Sequence, residues 1–249
     1  MKHLLSLAVV LAPVGALAKP KAIPILQSSE VIDASFASRP LAMMALLAAM
    51  AVIPFAILML TSFSKVAVVL SIARSAMGTQ QIPPTTVLTG LAVILSVHVM
   101  APVFEEMWSV GKSALAQAHD TEAALAAATL AATPLKGFLL KHGHLEDRAL
   151  FLEMARELRG EERADEVGAE DLVVSVPAFM VSELKEAFQI GFLVFLPFLV
   201  LDMVIANLLL ALGMQSLSPT SVSLPFKLLL FVMVDGWTLL SQGLVLGYR

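Results

Sequence analysis

The chain contains no cysteine, and this absence removes three kinds of site at once. Without thiols there is no disulfide framework, no thiolate metal site and no cysteine nucleophile. Charged residues are also scarce, at 14% of the 249 residues, where soluble domains carry about 25%. The net charge of −4 and the lack of a basic stripe argue against a nucleic-acid binder.

Motifs for common enzymatic chemistry are equally absent from the sequence. No P-loop, glycine-rich dinucleotide fingerprint or Gly-x-Ser-x-Gly elbow occurs. His98 stands alone in an apolar stretch, where a hydrogen-bonded core histidine is the ordinary interpretation. Three other histidines lie in the charged central region without cysteine or a His-Glu-x-x-His spacing: His119, His142 and His144. We therefore expect no metal, no cofactor and no enzymatic activity.

Apolar side chains are what the chain has in abundance. They make up 58% of it, and the mean hydropathy is +0.87, which is typical of an integral membrane protein. At the start of the sequence, Lys2 and His3 precede an apolar run that ends in Ala16-Leu17-Ala18. This pattern predicts a signal peptide over residues 1–18. The alternative is an uncleaved first membrane segment, for which about 15 apolar residues is short.

Four apolar stretches are long enough to cross a bilayer core of about 30 Å as helices. Prolines inside them predict kinks or breaks. We expect two helical hairpins, over residues 41–104 and 187–249. The four stretches are Leu41 to Leu60, Thr86 to Phe104, Phe188 to Met214 and Val222 to Leu246.

A charged region separates the two expected hairpins. Residues 105–186 hold 16 of the 20 acidic and 8 of the 16 basic residues, and their patterns predict short amphipathic helices broken near Gly143. The connection from Thr61 to Thr85 carries Lys65 and Arg74 but no acid, so the positive-inside rule places it in the cytoplasm. We therefore expect residues 105–186 to be an acidic helical insert on the periplasmic side.

Charged residues inside the apolar sequence are the first candidates for function. An ionised side chain in hydrocarbon costs at least about 2.5–3.5 kcal/mol, so it usually has a partner. Lys227 and Asp235 are eight residues apart, which is about 80° around a continuous helix. An intramembrane aspartyl protease is excluded because its flanking motifs are missing. The prediction is a neutralising polar network of Lys65, Asp202, Asn207, Lys227 and Asp235.

Three segments carry a resemblance to a known family. They are LTSFSKVAVVLSIARSAMGTQQIPP (residues 60–84), VPAFMVSELKEAFQIGFLVFLPFLVLDMVIANLLLALGM (176–214) and SPTSVSLPFKLLLFVMVDGWTLL (218–240). In this order they resemble the FliP/SctR (YscR/HrcR/SpaP) family of type III secretion export-gate membrane proteins. The resemblance covers nearly all of the chain from Leu41 onward.

The resemblance implies a multi-pass component of the bacterial inner membrane that forms a homopentameric, protein-conducting pore. Implied partners are SctS/FliQ-like, SctT/FliR-like and SctU/FlhB-like subunits, exported unfolded proteins and membrane lipid, but no nucleic acid. The implied pore loop is Met214, Gln215, Ser216 and Leu217, where a single methionine departs from the three that the family carries. The implied subunit contacts are Ser182, Glu183, Lys185 and Gln189.

Within that family, two branches remain open. The strings ANLLLALGM, DGWTLLSQGLVL and LKGFLLKHGHLED resemble the injectisome branch, which serves virulence. A signal peptide is more familiar in the flagellar branch, so a flagellar export-gate protein is the alternative. A proton-coupled transporter that uses Asp202 and Asp235 is a more distant alternative, because the sequence shows no internal repeat.

Overall fold

A computed structural model describes residues 40–79 and 82–249. All regular secondary structure in these residues is helical, which confirms the prediction of an all-α fold. The predicted signal peptide lies outside the described residues. The helices are α1 (Pro40–Met59), α2 (Phe63–Ala76), α3 (Thr85–Leu115), α4 (Thr121–Ala131), α5 (Thr133–His142), α6 (Leu145–Arg159), a 3₁₀ helix (Glu161–Glu166), α7 (Leu172–Ala211), α8 (Pro219–Met233) and α9 (Gly236–Leu246).

Three helical stretches of the described residues are long and apolar enough to span a membrane: Thr85–Leu115, Glu122–His142 and Leu172–Ala211. Two bent helix pairs raise the number to five if each pair counts as one span. The predicted spans over residues 86–104 and 188–214 lie largely within the first and third stretches. The second stretch lies inside the region predicted to be the acidic insert, and it is less hydropathic than the other two.

Helix α7 makes the most extensive packing contacts within Val52–Arg249, one of the two compact units of the chain: α2, α5, α6 and α8 lie against it. Helix α2 advances along α7 in the same direction. Near the start of α2, Lys65 pairs with Glu183 of α7. About two turns later in α2, Ile72 lies against Gly191, which is also about two turns later in α7. A Cβ on Gly191 would lie 2.4 Å from the Ile72 side chain, so only glycine allows this approach. The predicted connection from Thr61 to Thr85 is therefore mostly a packed helix.

Helices α7, α8 and α9 form a bent hairpin. Helix α8 runs back along α7, ends at Met233, and is followed by α9 at an angle of 58°. Asp235 occupies the break with a φ of 52°, in the left-handed region. Because the helix is interrupted there, the predicted spacing of Lys227 and Asp235 on one continuous helix face is wrong. Gly236 is required because a Cβ would lie 2.3 Å from the Phe231 ring.

The charged insert is continuous with its neighbouring helices. Helix α3 extends to Leu115 and α7 begins at Leu172, so the expected boundaries at residues 105 and 186 fall inside helices. The amphipathic pattern over residues 137–158 belongs to α5 and α6, which are separated at Gly143 and His144. A Cβ on Gly143 would lie 2.9 Å from the Leu139 carbonyl oxygen and would force this corner open.

Buried apolar side chains form three clusters around α7. The first joins α2, α3, α7 and α9 through Val66, Val69, Leu70, Leu88, Ala92, Ala187 and Leu244. The second joins α3, α5 and α7 to Tyr248 through Met100, Phe138, Leu139 and Phe179. The third, of Ala76, Met77, Phe198 and Phe231, joins the end of α2 to α7 and α8. Together they fix the register of the helices that carry the polar site.

Candidate functional site

The first polar group, here called the Lys65 cluster, consists of Lys65, Glu183, Glu186, His144 and Tyr248. Lys65 is 2% exposed, and its Nζ donates to Glu183 Oε1 at 3.0 Å and to Glu186 Oε2 at 2.7 Å. The His144 ring reaches the second oxygen of Glu186, with Nε2 2.8 Å from Oε1. These contacts tie α2 to α7 and to the start of α6. An unpaired charge at such burial would be strongly destabilising, so both glutamates and the lysine belong to one unit.

Tyr248 contacts both Glu183 and Lys65 in the Lys65 cluster. Its hydroxyl donates to Glu183 Oε2, and its ring lies under Lys65 with Nζ 3.9 Å from the ring centroid. Burial raises the pKa of the Tyr248 phenol above its ordinary value, and the negative charge of Glu183 raises this pKa further. The phenol therefore stays protonated and remains a donor. A cation over an aromatic face adds attraction where water is excluded.

A neighbouring group of polar side chains joins α6 to α7. Asp147 is 2% exposed and accepts from Ser182 Oγ at 2.7 Å and from Lys185 Nζ at 2.5 Å. Ser182 Oγ also accepts from the His144 backbone N–H at 2.8 Å. Burial raises the pKa of Asp147, but the hydrogen bonds from Lys185 and Ser182 more than offset this, so its pKa lies below the ordinary value. Asp147 is therefore an anion at neutral pH.

The second polar group, here called the Asp202 cluster, lies at the other end of the hairpin. Asp202 accepts from Lys227 Nζ and from Ser223 Oγ, each at 2.5 Å. Lys227 and Ser223 are buried, whereas the Asp202 side chain is about one third exposed. A Cβ added to Gly78 would lie 3.9 Å from Lys227 Nζ, so the ammonium group also approaches the chain just beyond α2. This cluster fixes α7 to α8 and lies beside the end of α2.

The structure divides the predicted polar network in two. It brings Asp202 and Lys227 together, but Lys65 belongs to the other cluster. Asn207 and Asp235 are exposed, and their side chains make no hydrogen bond or ion pair among the described residues. Nor do those residues contain a group of three or more His, Cys, Asp or Glu side chains that could hold a metal ion.

Sequence reasoning missed the partners of Lys65. Glu183 and Glu186 were counted with the charged insert, whereas α7 carries them into the packed helices. One signal was present in the sequence, because glutamates three residues apart share a helix face and can grip one cation. Tyr248 is the single tyrosine of the chain, but no local pattern links it to a position 65 residues earlier.

The predicted subunit contacts separate into buried and accessible residues. Ser182 and Glu183 are fully buried within the chain, because they bind Asp147 and Lys65. A side chain enclosed in this way has no surface left for a neighbouring copy. Lys185 and Gln189 are exposed, and for them a subunit contact stays a prediction.

The predicted pore loop lies at the turn between α7 and α8. Gly213 adopts a positive φ of 69°, and the Met214 backbone N–H donates to the Leu209 carbonyl at 2.9 Å, which ends α7. All four predicted residues of the loop are exposed: Met214, Gln215, Ser216 and Leu217. Met214 and Leu217 each expose 42% of their surface, although both are apolar. The loop thus presents apolar side chains that the described part of the chain does not cover.

Comparison with known proteins agrees with these features. Residues 46–244 match the FliP family. The Hypersensitivity response secretion protein HrcR of Ralstonia nicotianae is 43% identical over 210 residues, which cover 81% of this chain and 94% of the relative. The Yop proteins translocation protein R of Yersinia pestis is 43% identical over 205 residues, with 81% and 93% covered.

A flagellar relative is similar to nearly the same degree. The Flagellar biosynthetic protein FliP of Bacillus subtilis is 42% identical over 217 residues, which cover 87% of this chain and 95% of the relative. The matched region contains both polar clusters except Tyr248, together with the loop between α7 and α8. With most of its length matched, and with relatives above 40% identity over nearly their whole length, this chain is a member of the FliP family.

Proposed function

We propose that this protein is a core component of a type III secretion export gate. In this role it forms, with further copies and partner subunits, a pore that conducts unfolded proteins across the inner membrane. The proposal is carried by membership of the FliP family together with relatives that are named for secretion and translocation. The all-helical fold, with three to five helices able to span a membrane, supports it.

The pore-lining element in this proposal is the loop of residues 214–217. Its apolar side chains are exposed at a tight turn, where several copies arranged around an axis would bring them together. Methionine is flexible and polarisable, so a ring of Met214 side chains can close around chains of varied shape without specific bonds. Leu217 adds apolar contact beside it. Five copies are proposed from the family resemblance.

The polar clusters have a supporting role in this function. The Asp202 cluster locks α8 to α7 close to the loop, while the Lys65 cluster locks the same hairpin at its far end. A loop at the end of a rigid hairpin keeps its position when a chain passes through. We propose that these paired charges hold the helices in place and that the protein is not an enzyme.

We further propose SctS/FliQ-like, SctT/FliR-like and SctU/FlhB-like subunits as its membrane partners. Several helices offer apolar surface to them. Exposed apolar side chains continue along the second half of α7, among them Phe192, Met203 and Leu210. Contiguous exposed apolar surface of this kind indicates contact with protein or lipid. Helices α4 to α6, which belong to the predicted acidic insert, are proposed to lie on the periplasmic side.

The test combines assembly with transport. The chain is co-expressed with its SctS/FliQ-like and SctT/FliR-like partner subunits, and the mass of the purified complex is measured by native mass spectrometry. A mass with five copies bound to both partners supports the gate, whereas a monomer that ignores them contradicts it. A photo-crosslinking residue in place of Met214 is then expected to capture a stalled export substrate. The matched position Gln189, on the exposed side of α7 and away from the loop, should capture none.

The flagellar version of the same machine is the second candidate. The flagellar relative is 42% identical to this chain and the Yop translocation relative 43%, so sequence identity supports the flagellar candidate almost equally. Deletion of the gene in its native bacterium separates the two. Loss of effector secretion with normal motility supports the injectisome, and loss of flagella supports the flagellar gate.

A further inference from the structure

Helix α6 carries an apolar stripe that residues 40–79 and 82–249 leave uncovered. Leu150, Met154 and Leu158 recur every four residues and therefore line one face of the helix. They expose 51%, 45% and 86% of their surface, respectively. Asp147, three residues before Leu150 and about 60° from it around the helix, is buried at the start of α6, where it anchors the helix to Ser182 of α7. Helix α6 lies outside every stretch able to span a membrane.

Three glutamates border this stripe, whereas the nearby exposed lysine, Lys185 of α7, is paired with Asp147 at the start of α6. Glu153 and Glu157 follow Leu150 and Met154 by three residues, and Glu146 precedes Leu150 by four, so these glutamates share the exposed face. All three are exposed and form no ion pair within the parts of the chain that the structure describes.

The arginines of α6 point elsewhere. Arg156 donates from Nη2 to the Val167 carbonyl at 3.4 Å, and the Nε of Arg148 is buried. Arg159 lies about 180° around the helix from Leu150. The stripe is therefore an apolar strip bordered by acids, without a basic side chain of its own on that face.

We propose that this face of α6 is a docking site for a basic amphipathic helix of a partner protein. The apolar side chains of such a helix would cover Leu150, Met154 and Leu158, and its lysines or arginines would pair with the three glutamates. A second copy of the same face would bring six glutamates together and be repelled. An anionic membrane surface would be repelled for the same reason. The proposal does not depend on the loop of residues 214–217.

The binding test uses the full chain in detergent micelles and a fluorescent amphipathic peptide built from leucine and lysine heptads. Glu153→Lys combined with Glu157→Lys is expected to weaken binding about tenfold or more, measured by fluorescence anisotropy. The matched control is Glu162→Lys with Asp165→Lys, which makes the same charge change at exposed positions of the 3₁₀ helix. If the control loses as much affinity for the peptide, the peptide is attracted by the overall charge of the chain, and the proposal is overturned.

A second pair of variants tests the apolar contact. Leu150→Ser with Leu158→Ser is expected to weaken binding of the same peptide about tenfold. Leu145→Ser alters another exposed leucine of α6 that lies about 140° from Leu150, and it should leave affinity unchanged. Binding that ignores Leu150 and Leu158, or a peptide of leucine and glutamate that binds equally well, contradicts the proposal.

The test in intact bacteria places a photo-crosslinking residue at Leu158. The expected product joins this chain to a different protein through a peptide of net positive charge, and Glu153→Lys with Glu157→Lys abolishes it. A crosslink to a second copy, a crosslink to lipid only, or no crosslink overturns the proposal. These outcomes concern α6 alone. They can therefore be interpreted whether or not Met214 captures an export substrate.

Discussion

Replacing Lys65 by methionine tests whether the Lys65 cluster holds the helices together. Lys65 makes ion pairs of 3.0 and 2.7 Å with Glu183 and Glu186, and it is nearly inaccessible. At an effective dielectric of about 20, each contact represents about 6 kcal/mol of gross attraction, which the desolvation of the charges largely offsets. Methionine fills a similar volume but leaves Glu183 buried without its cation. We expect the free energy of unfolding to fall by about 3–5 kcal/mol.

The measurement is unfolding of the purified chain in mixed detergent micelles, followed by circular dichroism. Lys136→Met is the matched control, because Lys136 forms an exposed ion pair with Glu170 at 3.5 Å. Such a pair contributes at most about 1 kcal/mol. A second variant, Lys65→Met with Glu183→Gln, removes both charges and should recover about 2 kcal/mol of the loss. A loss at Lys65 no larger than at Lys136, or a double variant no better than the single one, refutes this reasoning.

Three further predictions concern assembly, pH and packing. Lys227→Ala leaves its aspartate partner unpaired next to the loop, and it should lower the amount of assembled complex on native gels. Asp147→Asn should destabilise the chain at pH 7, with a difference from wild type that shrinks as the pH falls below the ordinary aspartate value of 3.8. The sign follows because a carboxyl with a lowered pKa stabilises above that value and loses this effect as it protonates. Gly191→Ala should cost about 1–3 kcal/mol through collision with Ile72, whereas Gly137→Ala, which meets no atom within 4 Å, should not.

Each of these predictions has a result that contradicts it. Normal assembly of Lys227→Ala removes the structural role of the Asp202 cluster. A stability difference for Asp147→Asn that persists unchanged at low pH shows that its carboxylate charge is not the cause. For Gly191, the relief variant is Gly191→Ala with Ile72→Val, and failure to recover stability there contradicts a collision at that contact.

The sequence predicted the helical class because long apolar runs without charges have only one stable form in a bilayer. It also predicted that charged residues within those runs have a structural task. Of the two main ion pairs, only one could be predicted from the sequence. Asp202 and Lys227 lie at similar distances on either side of the turn near Gly213, so a hairpin brings them together. Lys65 and Glu183 are 118 residues apart, and their pairing depends on how α2 lies along α7.

Local backbone geometry explains another difference between sequence and structure. The run from Val222 to Leu246 is predicted to be one helix, because apolar residues continue on both sides of Asp235. The break depends on a single left-handed residue and on the contact between Gly236 and the Phe231 ring. Hydrophobic periodicity carries no information about either. For the same reason the apolar pattern could not show that α7 continues for 40 residues.

The length of α7 sets a distance between its two charged ends. Glu183 and Asp202 are separated by nineteen residues of uninterrupted helix, which corresponds to about 28 Å along the axis. A bilayer hydrocarbon core is about 30 Å thick. If the apolar segment between them crosses that core, one ion pair meets each headgroup layer and neither resides among the acyl chains. The two clusters then fix the depth of α7 in the bilayer. A shift of one helical turn in either direction would move one of the ion pairs into the hydrocarbon core.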